Sequence, residues 1–420
     1  MIKKPFIYYK ENQLMIENRL VEDLIKETGT PTYLYSKASM LYQLQQLQEA
    51  FQGKNALICY SMKGCHNTNI AKVFIEQGCG ADIVSGGELY RARKAGADPK
   101  KIVYSGVAKT KREIQEAIEA GILLFQVESE QELIRINQIA ESMKKTVSVS
   151  LRINPGVDAK THPYITTGMK ENKFGIDAEL GVEIFKRAMK MSNIHICGID
   201  LHIGSQLLDI TPYKEAMEII ADYVRNLRAM NVPIQYVDVG GGVGIPYTAD
   251  QSIPDVKEYA NLITRPFEDM PDITFILEPG RYLVAQAGIL ITEVQYIKEN
   301  SYGKRFVIVD SGMHHLMRPC LYQAYHNIIP VVRKDRPQSI VDVVGPICES
   351  TDFFAKNREI EEVTQGDLLA VCDAGAYGIV MASHYNSHSL PQEVLVDQDS
   401  YHIIRRRESY EDLLLGEVTV

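Results

Sequence analysis

Several features are missing from this sequence, and each absence excludes something. No Cys-x-x-Cys pair occurs. The seven cysteines, Cys59, Cys65, Cys79, Cys197, Cys320, Cys348 and Cys372, are odd in number and scattered. That pattern fits neither a disulfide framework nor a zinc ribbon, so no metal site is expected and the compartment is read as reducing. No uncharged apolar run reaches the ~18 residues of a membrane span. The opening MIKKPFIYYKENQ holds no apolar signal-peptide core, so the protein is expected in the cytoplasm. An excess of positive charge is lacking too. Lys and Arg number 45 against 54 Asp and Glu, a net charge of -9. An acidic chain lacks the electrostatic footprint of a nucleic-acid binder.

What is present is ordinary for a globular protein. The 420 residues are 45% hydrophobic and 24% charged, which excludes disordered, collagenous and coiled-coil chains. A chain this long buries about three quarters of its unfolded surface, so no staple or metal is needed to hold a core.

From about residue 37 to 285 one unit repeats: a short apolar run, a polar or glycine residue, then an amphipathic stretch. The runs are Ala56–Tyr60, Ala81–Val84, Ile102–Tyr104, Leu123–Val127, Val147–Ile153, Ile196–Leu201, Tyr236–Val239 and Thr274–Leu277. They are continuous rather than alternating, as in strands covered on both faces. Eight strands alternating with helices give the arithmetic of a (β/α)8 barrel, with a doubly wound open sheet as the rival. After residue 285, short runs such as Ile289–Ile297, Ile340–Val344 and Glu393–Val396 are separated by turn residues, which predicts a β domain. The expected division is an N-terminal segment 1–35 packing with the β domain, a barrel over 36–285 and a C-terminal β domain over 286–420.

Barrel chemistry comes from the C-terminal ends of the strands. Those ends carry Lys63, His202, Ser205, the Gly240-Gly241-Gly242 run, Glu278, Gly280 and Arg281. Burial after an apolar strand would favour the neutral amine of Lys63, which suits a Schiff base, but the residue also reads as a snorkelling lysine. The triple glycine admits an anion to the backbone or forms a tight turn; Pro246 argues against a dinucleotide fingerprint. Glu278 can pair with a protonated ring nitrogen or with Arg281. His202 can stack on a flat ring or sit as a satisfied core residue. In the β domain, Cys348 beside Glu349 offers a thiol acid and an ammonium acceptor, or a small hydrophobe next to a surface acid. Tyr377 lies between small residues, and Arg318 with Tyr322 offers a carboxylate clamp or a helix-surface pair.

Ten segments in order make a more specific pattern than any one of these: YSMKGCHN, GADIVSGGELYRARKAG, YSGVAKTKREI, SLRINPGVDAKTHPYITTGMKENKFGI, LHIGSQ, DVGGGVGIPY, EPGRYLVAQAG, MRPCLYQAYH, GPICESTDFFAKNREI and GAYGIVMASHYNS. Together they resemble the fold-type III decarboxylases that use pyridoxal 5′-phosphate (PLP), most closely the diaminopimelate decarboxylases. The resemblance implies an alanine-racemase-like PLP-binding barrel plus a β domain. It also implies α-decarboxylation, with meso-2,6-diaminopimelate giving L-lysine and CO2 as the first expectation. By resemblance, Lys63 joins the cofactor aldehyde, His202 stacks on the ring, and Glu278 pairs with the ring nitrogen. Ser205, Gly242, Gly280, Arg281 and Tyr377 surround the phosphate and ring. Arg281, Arg318, Tyr322, Glu349 and Tyr377 match the substrate-binding positions, and Cys348 matches the proton donor. In the family that cysteine enters the partner's site, which implies a homodimer with shared active sites.

Three departures stand out. The lysine motif reads YSMKGC rather than YAVKAN, His384 replaces an asparagine, and His388-Ser389-Leu390-Pro391 replaces Arg-x-Arg-Pro. These changes are either neutral or signal a modified, D-configured or carrier-protein-tethered amino acid from a natural-product or siderophore pathway. A non-catalytic regulatory homologue is a further alternative, opposed by the presence of both Lys63 and Cys348.

Overall fold

The computed structural model describes residues 6–157, 173–252 and 255–418. The chain divides into two compact units. One comprises Gln43–Ile245 and Ser252–Tyr282; the other comprises Met1–Tyr42, Pro246–Gln251 and Leu283–Val420.

The first unit is a closed parallel barrel. Its strands are Ala56–Ser61, Gly80–Ile83, Ile102–Tyr104, Leu124–Val127, Val147–Asn154, Ile194–Asp200, Tyr236–Asp238 and Thr274–Leu277. Each pairs in parallel with the next, and the eighth returns to the first through Phe275 opposite Ala56. Eight strands are therefore present, as the apolar runs predicted, and closure excludes the open sheet. The helices start where short polar side chains take up orphan N–H groups. Ser85 accepts from Glu88, Ser129 from Glu132, and Thr110 forms a reciprocal capping box with Glu113. Their inner faces, for example Ile114, Ala117 and Ile118, are buried.

The strands are not apolar throughout. Asp82, Ser105, Gln126, Ser150, Arg152, Asp200 and Asp238, at or beside the C-terminal ends of six strands, are all buried. Burying so many polar groups is costly unless they satisfy one another. They form a polar layer, and the candidate site is built on it.

The second unit holds a mixed sheet. Its path runs Phe353–Glu361, Gln338–Val344, Arg305–Val309, Gly288–Glu299, Thr32–Ser36, Gln392–Asp397 and Ser400–Arg405. The twelve-residue strand Gly288–Glu299 organises it. Its first half pairs with Thr32–Tyr35 and with Leu368–Val371, and its second half pairs with Arg305–Val309. Thr32–Ser36 lies inside the sheet and is buried at every position. A core including Ile16, Leu24, Leu34, Ile289, Ile291, Val394 and Val396 ties the N-terminal residues to this sheet. Neither Thr32–Ser36 nor Phe353–Glu361 was expected as a strand from the sequence.

Candidate active site

Lys63 follows the first barrel strand in a tight turn closed by Gly64 N–H donating to the Ser61 carbonyl at 3.1 Å. Met62 N–H donates to the Asp82 carbonyl at 3.0 Å and ties the turn to the second strand. The Lys63 amine donates to Asp82 Oδ2 at 2.9 Å, and the lysine side chain is one-third exposed while Asp82 is fully buried. Ser61 donates to the same Asp82 oxygen at 2.7 Å. Ser105 Oγ lies 2.9 Å from Asp82 Oδ1 and 3.1 Å from Glu278 Oε1. Ser105 also bonds Gln126, whose amide donates to Asp238, and Gly240 N–H donates to the other Asp238 oxygen at 2.8 Å. One connected network thus joins the amine of the first strand to the carboxyl of the eighth.

This network sets the proton inventory. Burial raises the Glu278 carboxyl well above the usual range, and neighbouring Asp82 raises it further; Lys63 opposes the rise. Asp238 is raised by burial and then by Glu278. A hydroxyl has one proton to donate, yet Ser105 faces oxygens of Asp82, Gln126 and Glu278. A proton on Glu278 would let the Ser105 oxygen accept there while its hydroxyl donates to one of the other two, and it agrees with the direction of the Glu278 shift.

The triple glycine belongs to the same mouth. Gly240 has φ +65°, and a Cβ there would stand 2.4 Å from His202 Nδ1. A Cβ on Gly241 would stand 2.4 Å from the Glu278 carbonyl oxygen. Gly242 has φ +105°, and its Cβ would meet the Gly204 carbonyl at 2.6 Å. Only glycine lets these three backbones approach so closely. Gly241 N–H donates to His202 Nδ1 at 3.3 Å, which requires a bare nitrogen there. His202 is correspondingly held neutral, its pKa pushed well below the usual range by burial and then by Lys63 and Arg152. Arg281 Nη2 donates to Ser205 Oγ at 3.0 Å beside this cradle.

On the far side of the ring of strand ends, Arg152 donates to Glu128 at 2.6 Å and lies 3.9 Å from Asp200. Gly175 N–H donates to the other Glu128 oxygen at 2.7 Å. The guanidinium also covers the Phe174 ring at 4.9 Å. Burial raises the Asp200 carboxyl despite Arg152. The motif segment 158–172 lies outside the described residues.

The barrel therefore brings together Lys63, His202, Ser205, Gly242, Glu278, Gly280 and Arg281. The remaining sequence candidates belong to the other unit. Arg318 and Tyr322 open and close one short helix. Arg318 donates through Nε to His326 and through Nη2 to Tyr247 Oη, both at 3.3 Å. Cys348 and Glu349 are exposed neighbours on a loop. Asp352 holds that loop by accepting from Met313 N–H and Ile347 N–H, each at 2.6 Å. Glu349 accepts from Thr351 at 2.8 Å and from Tyr385. Tyr377 has φ 55°, next to Gly378, where a Cβ would stand 2.5 Å from the Ala374 carbonyl.

Sequence reasoning did not single out Asp82, Ser105, Gln126, Asp238 and Arg152 as site residues. A carboxylate or serine at a strand end was the available signal, but which of them face one another depends on barrel closure.

The donor set fits PLP. An amine, a carboxyl that keeps its proton, a neutral imidazole and a side-chain-free glycine cradle all lie on one barrel. Residues 37–285 match the family model described as pyridoxal-dependent decarboxylase, pyridoxal binding domain. Over 407 residues the chain is 46% identical to the diaminopimelate decarboxylase of Aquifex aeolicus, covering 97% of this chain and 96% of the relative. It is 44% identical to that of Haemophilus influenzae, covering 99% and 100% of the two. The crystal structure of diaminopimelate decarboxylase from Helicobacter pylori complexed with L-lysine aligns with a TM-score of 0.91 at 43% identity, over 94% of this chain and 98% of that one. The M. jannaschii enzyme in co-complex with L-lysine aligns with a TM-score of 0.95 at 40% identity, over 100% and 99%. Site, barrel and full-length likeness lead to one assignment: the chain belongs to the PLP-dependent fold-type III decarboxylases, within the diaminopimelate decarboxylase family.

Proposed function

We propose that the protein removes one carboxyl group of meso-2,6-diaminopimelate as CO2 and releases L-lysine. The observation that carries this reading is the network joining Lys63 to Glu278 through Asp82 and Ser105. When bound, PLP supplies the electron sink for the pair left at Cα as CO2 departs. Lys63 holds the cofactor aldehyde, and its contact with Asp82 keeps the amine at the mouth. Glu278 would pair with the ring nitrogen and share a proton with it, which its raised pKa suits. His202, kept neutral, would stack on the ring without adding charge. Gly242 and its neighbours, Ser205, Gly280, Arg281 and Tyr377 receive the phosphate and ring.

Arg281 of the barrel unit and, from the second unit, Arg318 with Tyr322 and Tyr377 are the residues assigned to the substrate carboxylates, the arginines acting through paired N–H donors. Glu349 takes the distal ammonium, and Cys348 returns a proton to Cα. Exposure of Cys348 and Glu349 in the single chain supports a homodimer in which a partner covers them. The H. pylori and M. jannaschii relatives were solved with L-lysine, which supports the product. His384 pairs with Glu408 at 2.7 Å and His388 packs on His314 at 4.7 Å between ring centroids. These two departures are thus engaged within their own unit, which favours the free amino acid over a tethered one. Among the described residues no helix is long and apolar enough to cross a membrane.

Mass spectrometry of products from meso-diaminopimelate, run beside lysine, ornithine, arginine and glutamate, tests the reading. L-Lysine should form from the first substrate alone, and Lys63→Ala should remove the visible band of the lysine-linked cofactor. Turnover of another amino acid with none of meso-diaminopimelate would overturn it.

A further inference from the structure

We propose that His326 is a positioning residue that fixes the Arg318 guanidinium for a substrate carboxylate, acting as a neutral imidazole in its Nδ1–H form. The inference rests on the reading that Arg318 binds substrate.

The argument is one of donors and acceptors. Arginine only donates hydrogen bonds, and a backbone carbonyl only accepts them. Arg318 Nε points at His326 Nε2 at 3.3 Å. His326 Nδ1 lies 2.8 Å from the Cys372 carbonyl oxygen. The imidazole must therefore accept at Nε2 and donate at Nδ1, and a charged ring would set an N–H against the guanidinium. Two partners, each able to play one role, select one tautomer.

The ring is also held rigidly. His326 is fully buried, and Arg318 is 6% exposed. Gln323 takes a left-handed φ of 53° after the helix and turns the chain back toward Arg318. Arg358 Nη1 then donates to the His326 carbonyl at 2.9 Å, and Cys372 N–H donates to the Asn327 carbonyl at 2.8 Å. Immediately afterwards Ile328 enters the ladder opposite Val371. Tyr247 completes the clamp. Its ring lies edge-on to His326 at 5.5 Å, the guanidinium sits 5.4 Å from its centroid, and its hydroxyl accepts from Nη2.

The chemistry of these acceptors has a consequence. A carboxylate at position 326 would pair with Arg318 and compete with an anionic ligand. Imidazole and phenol orient the guanidinium without cancelling its charge, so its attraction for a carboxylate is kept. The prediction is specific to binding: loss of His326 should raise KM and leave the chemical step nearly intact.

Steady-state kinetics of the PLP-loaded enzyme on meso-diaminopimelate would compare His326→Leu with His326→Gln, whose carbonyl can still accept from Nε. We expect a KM rise of about tenfold or more for His326→Leu with kcat within about twofold, and recovery of most of that loss in His326→Gln. The visible cofactor band should match the unaltered enzyme in both. Nitrogen-15 NMR of histidine-labelled unaltered holoenzyme should show a neutral Nδ1–H imidazole for the resonance missing from His326→Gln or, if neither variant folds, for the ring whose protons show contacts to the Tyr247 ring. An unchanged KM in a folded, PLP-loaded His326→Leu, or a charged or Nε2–H ring, would overturn the inference. Absence of turnover by the unaltered enzyme would defeat the substrate reading alone, and the NMR result would then judge His326.

Discussion

Gly242→Ala tests the glycine cradle most directly. Gly242 has φ +105°, beyond the left-handed region that other residues occasionally adopt. An added Cβ would stand 2.5 Å from Tyr213 Oη and 2.6 Å from the Gly204 carbonyl oxygen. Neither neighbour can yield cheaply. Tyr213 donates to the Gly241 carbonyl at 2.9 Å and packs edge-on against Tyr259 at 5.0 Å, and the other contact is backbone. Backbone strain costs ~1–3 kcal/mol and overpacking a further ~1–3 kcal/mol, so about 2–6 kcal/mol together. That is a large part of the ~5–15 kcal/mol stability of a typical domain. Gly303→Ala is the control, because φ is +77° there and nothing lies within 4 Å of the new Cβ. It should cost only ~1 kcal/mol. Denaturant unfolding of the cofactor-free proteins would read the stabilities, and titration with PLP followed by visible absorbance would read affinity. We expect Gly242→Ala to lose the larger amount and to bind PLP at least about tenfold more weakly. If Gly242→Ala unfolds like Gly303→Ala and binds PLP normally, the cradle argument fails.

Other predictions draw on the same physics. Lys109 is 5% exposed and donates to the Gly106 carbonyl, the Gln126 carbonyl and Glu132 at 2.7–2.8 Å. Lys109→Met strands a buried carboxylate and should cost ~3–5 kcal/mol in denaturant unfolding, whereas a loss under ~1 kcal/mol would contradict that accounting. Glu278 has its folded-state pKa raised above 4.5 by burial. The folded state therefore holds a proton that the unfolded chain releases, and the cofactor-free protein should lose stability as pH rises from about 5, by at most ~1.4 kcal/mol per unit. Melting curves of Glu278→Gln should lack this component; an unchanged pH slope would show that other groups carry it. Asp352→Asn sets an amide against two N–H donors that a carboxylate now satisfies. It should loosen the Cys348–Glu349 loop, cost ~1–3 kcal/mol and lower kcat, and native kcat with native melting would refute that role.

Much of this was legible in the chain because the signals are local. A strand covered on both faces needs a run of apolar residues, and all eight barrel strands announce themselves that way. A helix needs its first N–H groups capped, and Ser85, Thr110 and Ser129 sit where the helices begin. The positions of Lys63, His202 and Glu278 at strand ends follow from the same count, as does the crowding of glycine after Asp238. Two strands of the mixed sheet were hidden. Phe353–Glu361 carries Lys356, Asn357, Arg358 and Glu359, of which all but the half-buried Arg358 are exposed, so its apolar signal is diluted. Thr32–Ser36 is rich in strand-forming residues, but it pairs with Gln392–Val396, which lies some 360 positions away in the chain.

The sequence by itself determined the eight barrel strands, and which chemical groups stand at their ends, because backbone propensity and burial pattern act over a few residues. Only the tertiary structure decided that the sheet closes, that Ser105 faces both Asp82 and Glu278, that Glu278 keeps its proton and that His326 lies against Arg318. Those outcomes depend on distances between residues far apart in the chain and on the exclusion of water around them, and neither quantity exists until the strands have paired.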